Sequence, residues 1–425
     1  MKTNHDNLWL GRFEKGVGFK ESLRDFLRYL NAQTIGAGIV ACLFAAPVVL
    51  VFLAAAKQGG LNNQQALSWV ATAWGSGGIV GIILSLYYKK PLMGATSIAG
   101  AVMLGGIIGH FNYQVVLGAY IVAGLICLIL GITGAFNAIV RWLPPQIIMA
   151  MIAGTFLRFG TGLVTNAVKA PIICAGAFLG FLLCEQYIRR VPRVLGALIF
   201  GFITAYVIGA FNFSALSGVS LNLPSFFVPA MPTWEAILAI GIPLAIISVG
   251  SEDVQAIGVL LSEGYDDIPK GTKIPINTTI TLTGIMSMIV PFFGCHDWHL
   301  AGPVNAICAG PSAGPKEGRY VAAVIAGVGF IIIALGGSAI ANFTKAVPSE
   351  FINFVAGLAI LGALVRALRT SWSGKLDYGP FFTFVIAASG VTIAKVGAPF
   401  WALVVGIIVS LITEYSKMKN TEGGH

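Results

Sequence analysis

Charged side chains are what this sequence has least of. Asp, Glu, Lys and Arg make up 10% of its 425 residues, where a soluble domain carries about 25%, so no water-facing shell can be built around a core of this size. Cysteine is sparse as well. Cys42, Cys127, Cys174 and Cys184 sit inside apolar runs, only Cys295 and Cys308 flank polar residues, and no zinc spacing or disulfide framework is implied. No phosphate-binding loop, activated nucleophile or metal cage is visible, which leaves enzymatic activity without support and gives no reason to expect a cofactor. His296, Asp297 and His299 have metal-like spacing, yet no further ligand cluster stands beside them, so no metal is expected. The charge of the opening residues excludes a signal peptide.

What the chain does have is apolar length. Hydrophobic residues reach 56% and glycines number 53, and mean hydropathy is +0.85. A helical span takes about 20 residues, and glycine lets helices pack closely in lipid. Apolar runs bounded by Lys, Arg, Pro and Gly place spans at 33–56, 65–88, 91–108, 112–139, 144–168, 170–188, 194–211, 235–262, 274–293, 296–310, 319–343, 350–367, 377–394 and 397–415. The fold class expected is an all-α polytopic membrane protein of about 14 transmembrane segments. Before them, Leu23, Phe26, Leu27 and Leu30 recur at helical spacing beside Arg24, Asp25 and Arg28, an amphipathic helix on the cytoplasmic surface.

The formal net charge of +9 reports topology, not a nucleic-acid partner. With the N-terminus in the cytoplasm, nearly all basic residues fall on the inner side, among them Lys89, Lys90, Arg141, Arg189, Arg190, Lys270, Arg319 and Arg369. Only Lys57, Lys169, Lys345 and Lys395 lie outside, and Arg158 falls within a span. This is the asymmetry of the positive-inside rule, and it favours an even number of spans in the cytoplasmic membrane with both termini inside.

Two hydrophobic segments are short and open on polar or small residues. One is Pro91-Leu92-Met93-Gly94-Ala95-Thr96-Ser97 leading into the third span; the other is Gly294-Cys295-His296-Asp297-Trp298-His299 leading into the tenth. They occupy equivalent places if the chain divides into two inverted repeats of seven, and broken helices at matching places point to a transporter's binding site. The organisation expected is a cytoplasmic segment 1–32, a first repeat 33–211, an external loop 212–234 without basic residues, a second repeat 235–415 and a tail 416–425.

At this point the chain resembles a known family along nearly its whole length. Tyr87-Tyr88-Lys89-Lys90-Pro91, Arg141-Trp142-Leu143-Pro144-Pro145, Phe156-Leu157-Arg158-Phe159-Gly160, Gly258-Val259-Leu260 with Gly264-Tyr265, Pro291-Phe292-Phe293-Gly294, Ala306-Ile307-Cys308-Ala309-Gly310-Pro311 and Ala356-Gly357-Leu358 carry the likeness by order and spacing. The sequence is similar to the benzoate:proton symporters. The resemblance implies the fold shared with uracil permeases and sulfate-type anion transporters. That fold has a core domain and a gate domain, with substrate held between the half-helices of spans three and ten and facing span eight.

A half-helix ending inside the membrane presents free N–H groups and about half a positive charge, so two of them aimed at one cavity favour an anion without any lysine. The residues expected to bind substrate are Ala95, Thr96 and Ser97 on one side, and Gly294, His296, Asp297 and Trp298 on the other, with Glu252 and Gln255 from span eight. The alternative is that these polar groups only cap short helices at the membrane surface. Ser251-Glu252-Asp253 interrupts an otherwise apolar helix, and each carboxylate is costly at the bilayer centre unless paired, hydrated or protonated. Helical spacing puts Ser248, Glu252, Gln255 and Val259 on one face, with Asp253 turned about 100° away. In uracil permeases a glutamate at about this place contacts substrate and is linked to protonation, and Glu252 matches it; the histidine four residues on is Ala256 here. Glu252, with Asp253 beside it, is therefore expected to couple protons to transport, unless both carboxylates pair with His296 or His299 to hold the core together.

Arg158 is expected to find a structural partner, a helix carbonyl or Glu185, and Phe44, Phe292 and Phe293 to pack rather than wall the site. The function expected is secondary active, proton-coupled symport of a small aromatic carboxylate or related organic acid, with a nucleobase-like solute as the alternative. A channel would need a continuous polar pore, and the polar residues instead gather at one depth. The expected partners are a small-molecule substrate, protons and the lipid bilayer. A homodimer is compatible with the sequence, which does not set the oligomeric state.

Overall fold

The computed structural model describes residues 13–135, 144–187, 192–216, 221–265, 273–393 and 396–415. Among the described residues, eight helices are long and apolar enough to cross a membrane, and four shorter apolar helices accompany them.

Helix α1 (Phe19–Tyr29) precedes the first crossing. The apolar run that follows is divided at Pro47 into α2 (Ala32–Ala45) and α3 (Val48–Gln58), since proline has no N–H to continue the ladder. Helix α4 (Asn63–Tyr88) starts in a capping box, with Asn62 and Gln65 exchanging side-chain and backbone bonds of 2.9 Å. It stops at Lys89, held left-handed at φ 53. Next come the two-residue strand β1 (Gly94–Ala95) and the short helix α5 (Ile98–Gly105), then α6 (Tyr113–Thr133), α7 (Pro145–Lys169), α8 (Pro171–Gln186) and α9 (Arg193–Val207).

The second half repeats the plan. Helix α10 (Trp234–Leu261) carries two π-helical turns, Ile237–Gly241 and Ser248–Asp253. It is followed by α11 (Ile276–Ile289), strand β2 (His299–Leu300), the short helix α12 (Gly302–Ala309), α13 (Tyr320–Leu335), α14 (Gly337–Lys345), α15 (Ser349–Ser371), α16 (Tyr378–Ser389) and α17 (Ala398–Thr413). The broken third and tenth segments are thus each a strand and an eight-residue helix. The strands themselves are unforeseen, because two residues are too few to show any alternation. The expected span 319–343 is split at the paired glycines Gly336 and Gly337 into α13 and α14. The far end of the expected span 112–139 lies partly outside the described residues.

Two groups of helices form. In one, α4 and α2 pack on α13, and α6 packs on α11; in the other, α15 and α16 pack on α7, α8 on α9, and α16 on α17. These are the core and the gate. Ile79, Ile83, Leu125, Ile129, Val328 and Ile332 stand exposed at four-residue steps on their helices, an apolar outer face suited to lipid and not to water. The N-terminal segment is strapped to one end of the core. Glu14 accepts the N–H groups of Asn277 and Thr278 at 3.0 and 2.9 Å, capping the start of α11, and Lys89 meets Asp25 at 2.6 Å.

Candidate functional site

Strands β1 and β2 pair antiparallel, Gly94 opposite Leu300 and Ala95 opposite His299, so α5 and α12 both start from one small sheet. Met93 strengthens the junction: its N–H donates to Asn305 Oδ1 and its carbonyl accepts the Ala301 N–H, each at 2.8 Å. Only glycine fits at position 94, because a Cβ there would lie 2.4 Å from the Trp298 ring. Gly294, at φ +81, turns the chain out of the helical turn Val290–Phe293 towards this junction.

Behind the sheet is a closed polar network. Asp297 Oδ1 accepts the Ser97 N–H at 2.9 Å, with His296 Nε2 3.2 Å away, and Oδ2 accepts the Ser248 hydroxyl at 2.6 Å. Trp69 Nε1 donates to His296 Nδ1 at 2.9 Å. An indole N–H can only donate, so Nδ1 accepts and the ring proton sits on Nε2, which donates to the Ser97 carbonyl at 3.0 Å. His296, Asp297 and Trp298 are buried to 1% exposure or less.

In front of the sheet lies a cavity of about 230 Å³ between core and gate. Phe44, Phe52, Trp74, Phe156 and Phe330 give it aromatic walls; Thr96, Ser251, Glu252, Gln255 and His299 are its inner polar groups, and Arg366 and Thr370 mark its far end on α15. Glu252 Oε1 accepts the Ser97 hydroxyl at 2.9 Å. Asp253 faces the other way, fully buried, with Oδ1 accepting the Leu300 N–H at 2.9 Å. The π-helical turn Ser248–Asp253 widens α10 where the chain passes the two short helices. Ser251, Glu252 and Gln255 thereby share the cavity, while Ser248 reaches back to Asp297.

The structure brings Ala95, Thr96, Glu252 and Gln255 together around the cavity, with Ser97 directly behind Glu252. Gly294, His296, Asp297 and Trp298 are not among its lining residues. The tenth segment contributes His299, Ala301, Pro303 and Val304 instead. The sequence does not pick out Phe52, Trp74, Phe156 and Phe330 as cavity walls, since aromatic residues in apolar spans usually only pack. Phe44 does wall the cavity, whereas Phe292 and Phe293 pack on Phe226. Arg158 bonds the Val102 carbonyl near the C-terminus of α5; Glu185 pairs with Arg193 at 3.3 Å. Among the described residues, no three His, Cys, Asp or Glu side chains converge with metal-ligand spacing.

Comparison with known proteins gives this arrangement a family. The sequence profile of the benzoate membrane transport protein family (BenE) matches residues 29–412. The chain is 27% identical over 399 residues to the inner membrane protein YdcO of Escherichia coli (strain K12), covering 90% of this chain and 97% of that protein. It is 25% identical over 385 residues to the benzoate membrane transport protein of Acinetobacter baylyi, covering 90% of this chain and 95% of that one. Among solved structures, the transmembrane domain of the cyanobacterial bicarbonate transporter BicA superposes with a TM-score of 0.59 at 16% identity, over 94% of this chain and 100% of that one. That likeness is one of fold. With broken, facing segments around a cavity and a family match along most of its length, the multi-pass helical protein is a membrane transporter and not an enzyme, and this chain belongs to the benzoate membrane transport protein family.

Proposed function

We propose that the protein is a secondary active symporter that carries a small aromatic carboxylate, benzoate or a close relative, together with protons across the cytoplasmic membrane. The observation that carries the reading is the lining of the cavity. Aromatic rings of both core and gate surround a space of about 230 Å³, below the roughly 300–1,000 Å³ of drug-sized sites. Thr96, Ser251, Glu252, Gln255 and His299 gather where α5 and α12 start, and α15 adds Arg366 and Thr370 to an otherwise apolar lining. An amphipathic ring acid matches that division, and a helix N-terminus favours the negative end. A nucleobase, polar around its whole rim, would leave hydrogen-bonding groups against apolar walls at a cost.

Glu252 is the proton-coupling group of this reading, with Asp253 buried beside it. A carboxylate next to an anion repels it, so loading the site with an acid anion requires a proton there. Both termini, and the Arg366 end of the cavity, lie on the cytoplasmic side in this reading, in keeping with the distribution of Lys and Arg. The test is uptake by reconstituted proteoliposomes under an imposed inward proton gradient, with benzoate and uracil as parallel substrates. Benzoate accumulation that collapses with the gradient is expected. Accumulation of uracil without benzoate sinks the proposal.

A further inference from the structure

Two side chains in the cavity wall end on a buried nitrogen with nothing to bond, the indole of Trp74 and the imidazole of His299. His299 is 3% exposed and lines the cavity. Its Nδ1 lies 2.7 Å from the Leu300 carbonyl oxygen. A carbonyl oxygen only accepts, so Nδ1 carries a proton and donates. The second nitrogen, Nε2, is buried without a hydrogen-bond partner. A buried polar atom left unpaired bears its full desolvation penalty, and at a binding site the ligand is what relieves it.

The charged surroundings of the ring are unusual. Glu252 and Asp253 of α10, and Asp297 and His296 of its own segment, are near enough to act on its charge, and Arg366 of α15 lines the same cavity. The carboxylates have other commitments: Asp297 to Ser97 and Ser248, Asp253 to the Leu300 N–H, Glu252 to the Ser97 hydroxyl. That leaves His299 Nε2, with the Trp74 indole N–H of the same lining, for the cargo; of the two only the imidazole can also carry the charge that answers a carboxylate.

We propose that His299 Nε2 is the anchor for the carboxyl group of the substrate, and so the residue by which the cavity selects an acid over an uncharged aromatic ring. The assignment rests on the cargo being an aromatic acid, as argued above. A bare lone pair on Nε2 would repel a carboxylate oxygen, so the complex holds one proton between the two atoms, taken from solvent in the cavity and returned when the substrate leaves. Imidazolium facing carboxylate and imidazole facing carboxylic acid have the same composition. The ring orientation is already fixed by Leu300, so little freedom is lost when the bond forms.

The experiment uses the purified full-length protein with benzoate as probe and methyl benzoate as its uncharged counterpart. His299→Leu is expected to weaken benzoate binding about tenfold or more, the scale of a hydrogen bond to a charged group, while methyl benzoate affinity is little changed. His299→Gln, whose amide keeps a donor in that region, recovers part of the loss. Because the leucine variant removes the bond to Leu300 as well, a second measurement uses wild-type protein with isotope-labelled histidine. On adding benzoate, one Nε2 resonance should move, and it should be the one missing from His299→Gln. Benzoate that saturates the protein and moves no histidine Nε2 resonance, or a leucine variant that binds benzoate as tightly as wild type, overturns the assignment and leaves the proposed function standing. Wild-type protein that binds no aromatic carboxylate overturns that function and the assignment with it.

Discussion

A single oxygen links Ser97 to Glu252. Ser97 Oγ accepts the Gly100 N–H at 2.9 Å, capping α5, and donates its own proton to Glu252 Oε1 at 2.9 Å. An accepted bond polarises a hydroxyl and strengthens the one it gives. The carboxyl on α10 is therefore connected to the positive end of α5 through one side chain.

Glu252→Gln mimics a permanently protonated side chain. The variant is predicted to keep substrate binding and substrate exchange between the two faces, and to lose accumulation driven by a pH gradient. Proteoliposome uptake with and without the gradient measures both. Undiminished gradient-driven accumulation removes Glu252 from the coupling role.

Ser97→Ala removes the cap of α5 and the donor to Glu252 together. Loss of an N-cap costs about 1 kcal/mol. The variant should melt at a lower temperature than Ser97→Thr, which retains a hydroxyl, and should transport more slowly. Equal melting of the two variants would show that the cap contributes nothing to the fold.

Gly94→Val forces side-chain atoms into the Trp298 ring, 2.4 Å from where a Cβ begins. Overpacking of this kind costs about 1–3 kcal/mol, and here it pushes on the β1–β2 pair. Transport is expected to fail even where the protein inserts and purifies. Gly36→Val, with no atom within 4 Å of its Cβ, is the control that should behave as wild type.

Arg158 lies on the gate helix α7, beyond the cavity-lining Phe156, and holds the Val102 carbonyl of a core helix. Its cation complements the negative end of α5. Arg158→Met should loosen core from gate on the side away from Arg366. A cysteine at Thr96 should then react faster with an impermeant reagent applied from the 211–234 side. Unchanged reactivity would make the contact dispensable for closure.

Asp25 and Lys89 give a pH prediction outside the membrane. The 2.6 Å bond from Lys89 holds the Asp25 carboxyl below its usual 3.8. A depressed value means the contribution to strapping α1 is complete above the ordinary carboxylate range and is lost as pH falls through the lowered value. Amide protection across residues 19–29, taken relative to the intrinsic exchange rate at each pH, should therefore fall as pH drops from 7 to about 3, and Asp25→Asn should show the lower protection already at pH 7. No difference between the variant and wild type at pH 7 would discount the pair.

The sequence revealed the membrane class and the broken third and tenth segments, because polar and glycine-rich interruptions of apolar runs are visible one residue at a time. Glu252 stood out for the same reason. The aromatic walls did not: Phe52, Trp74, Phe156 and Phe330 converge only through packing between distant spans. The division of labour along 294–299 was equally hidden. Adjacent residues of an extended strand point to opposite sides, so His299 lines the cavity while Trp298 is buried behind it. The π-helical turn in α10 is likewise invisible to an argument from α-helical spacing, which had put Ser248 on the substrate face.

The pairing of Gly94–Ala95 with His299–Leu300, and the bonds of Met93 and Ser97 to the opposite segment, have a mechanical consequence. Separating the two half-helices would strand several backbone and side-chain groups where no water replaces their partners. The pair is a weld, not a hinge. In the symport reading proposed above, the cargo would meet either face with the same cradle intact, and access would change by movement of the cradle as one body relative to the gate helices.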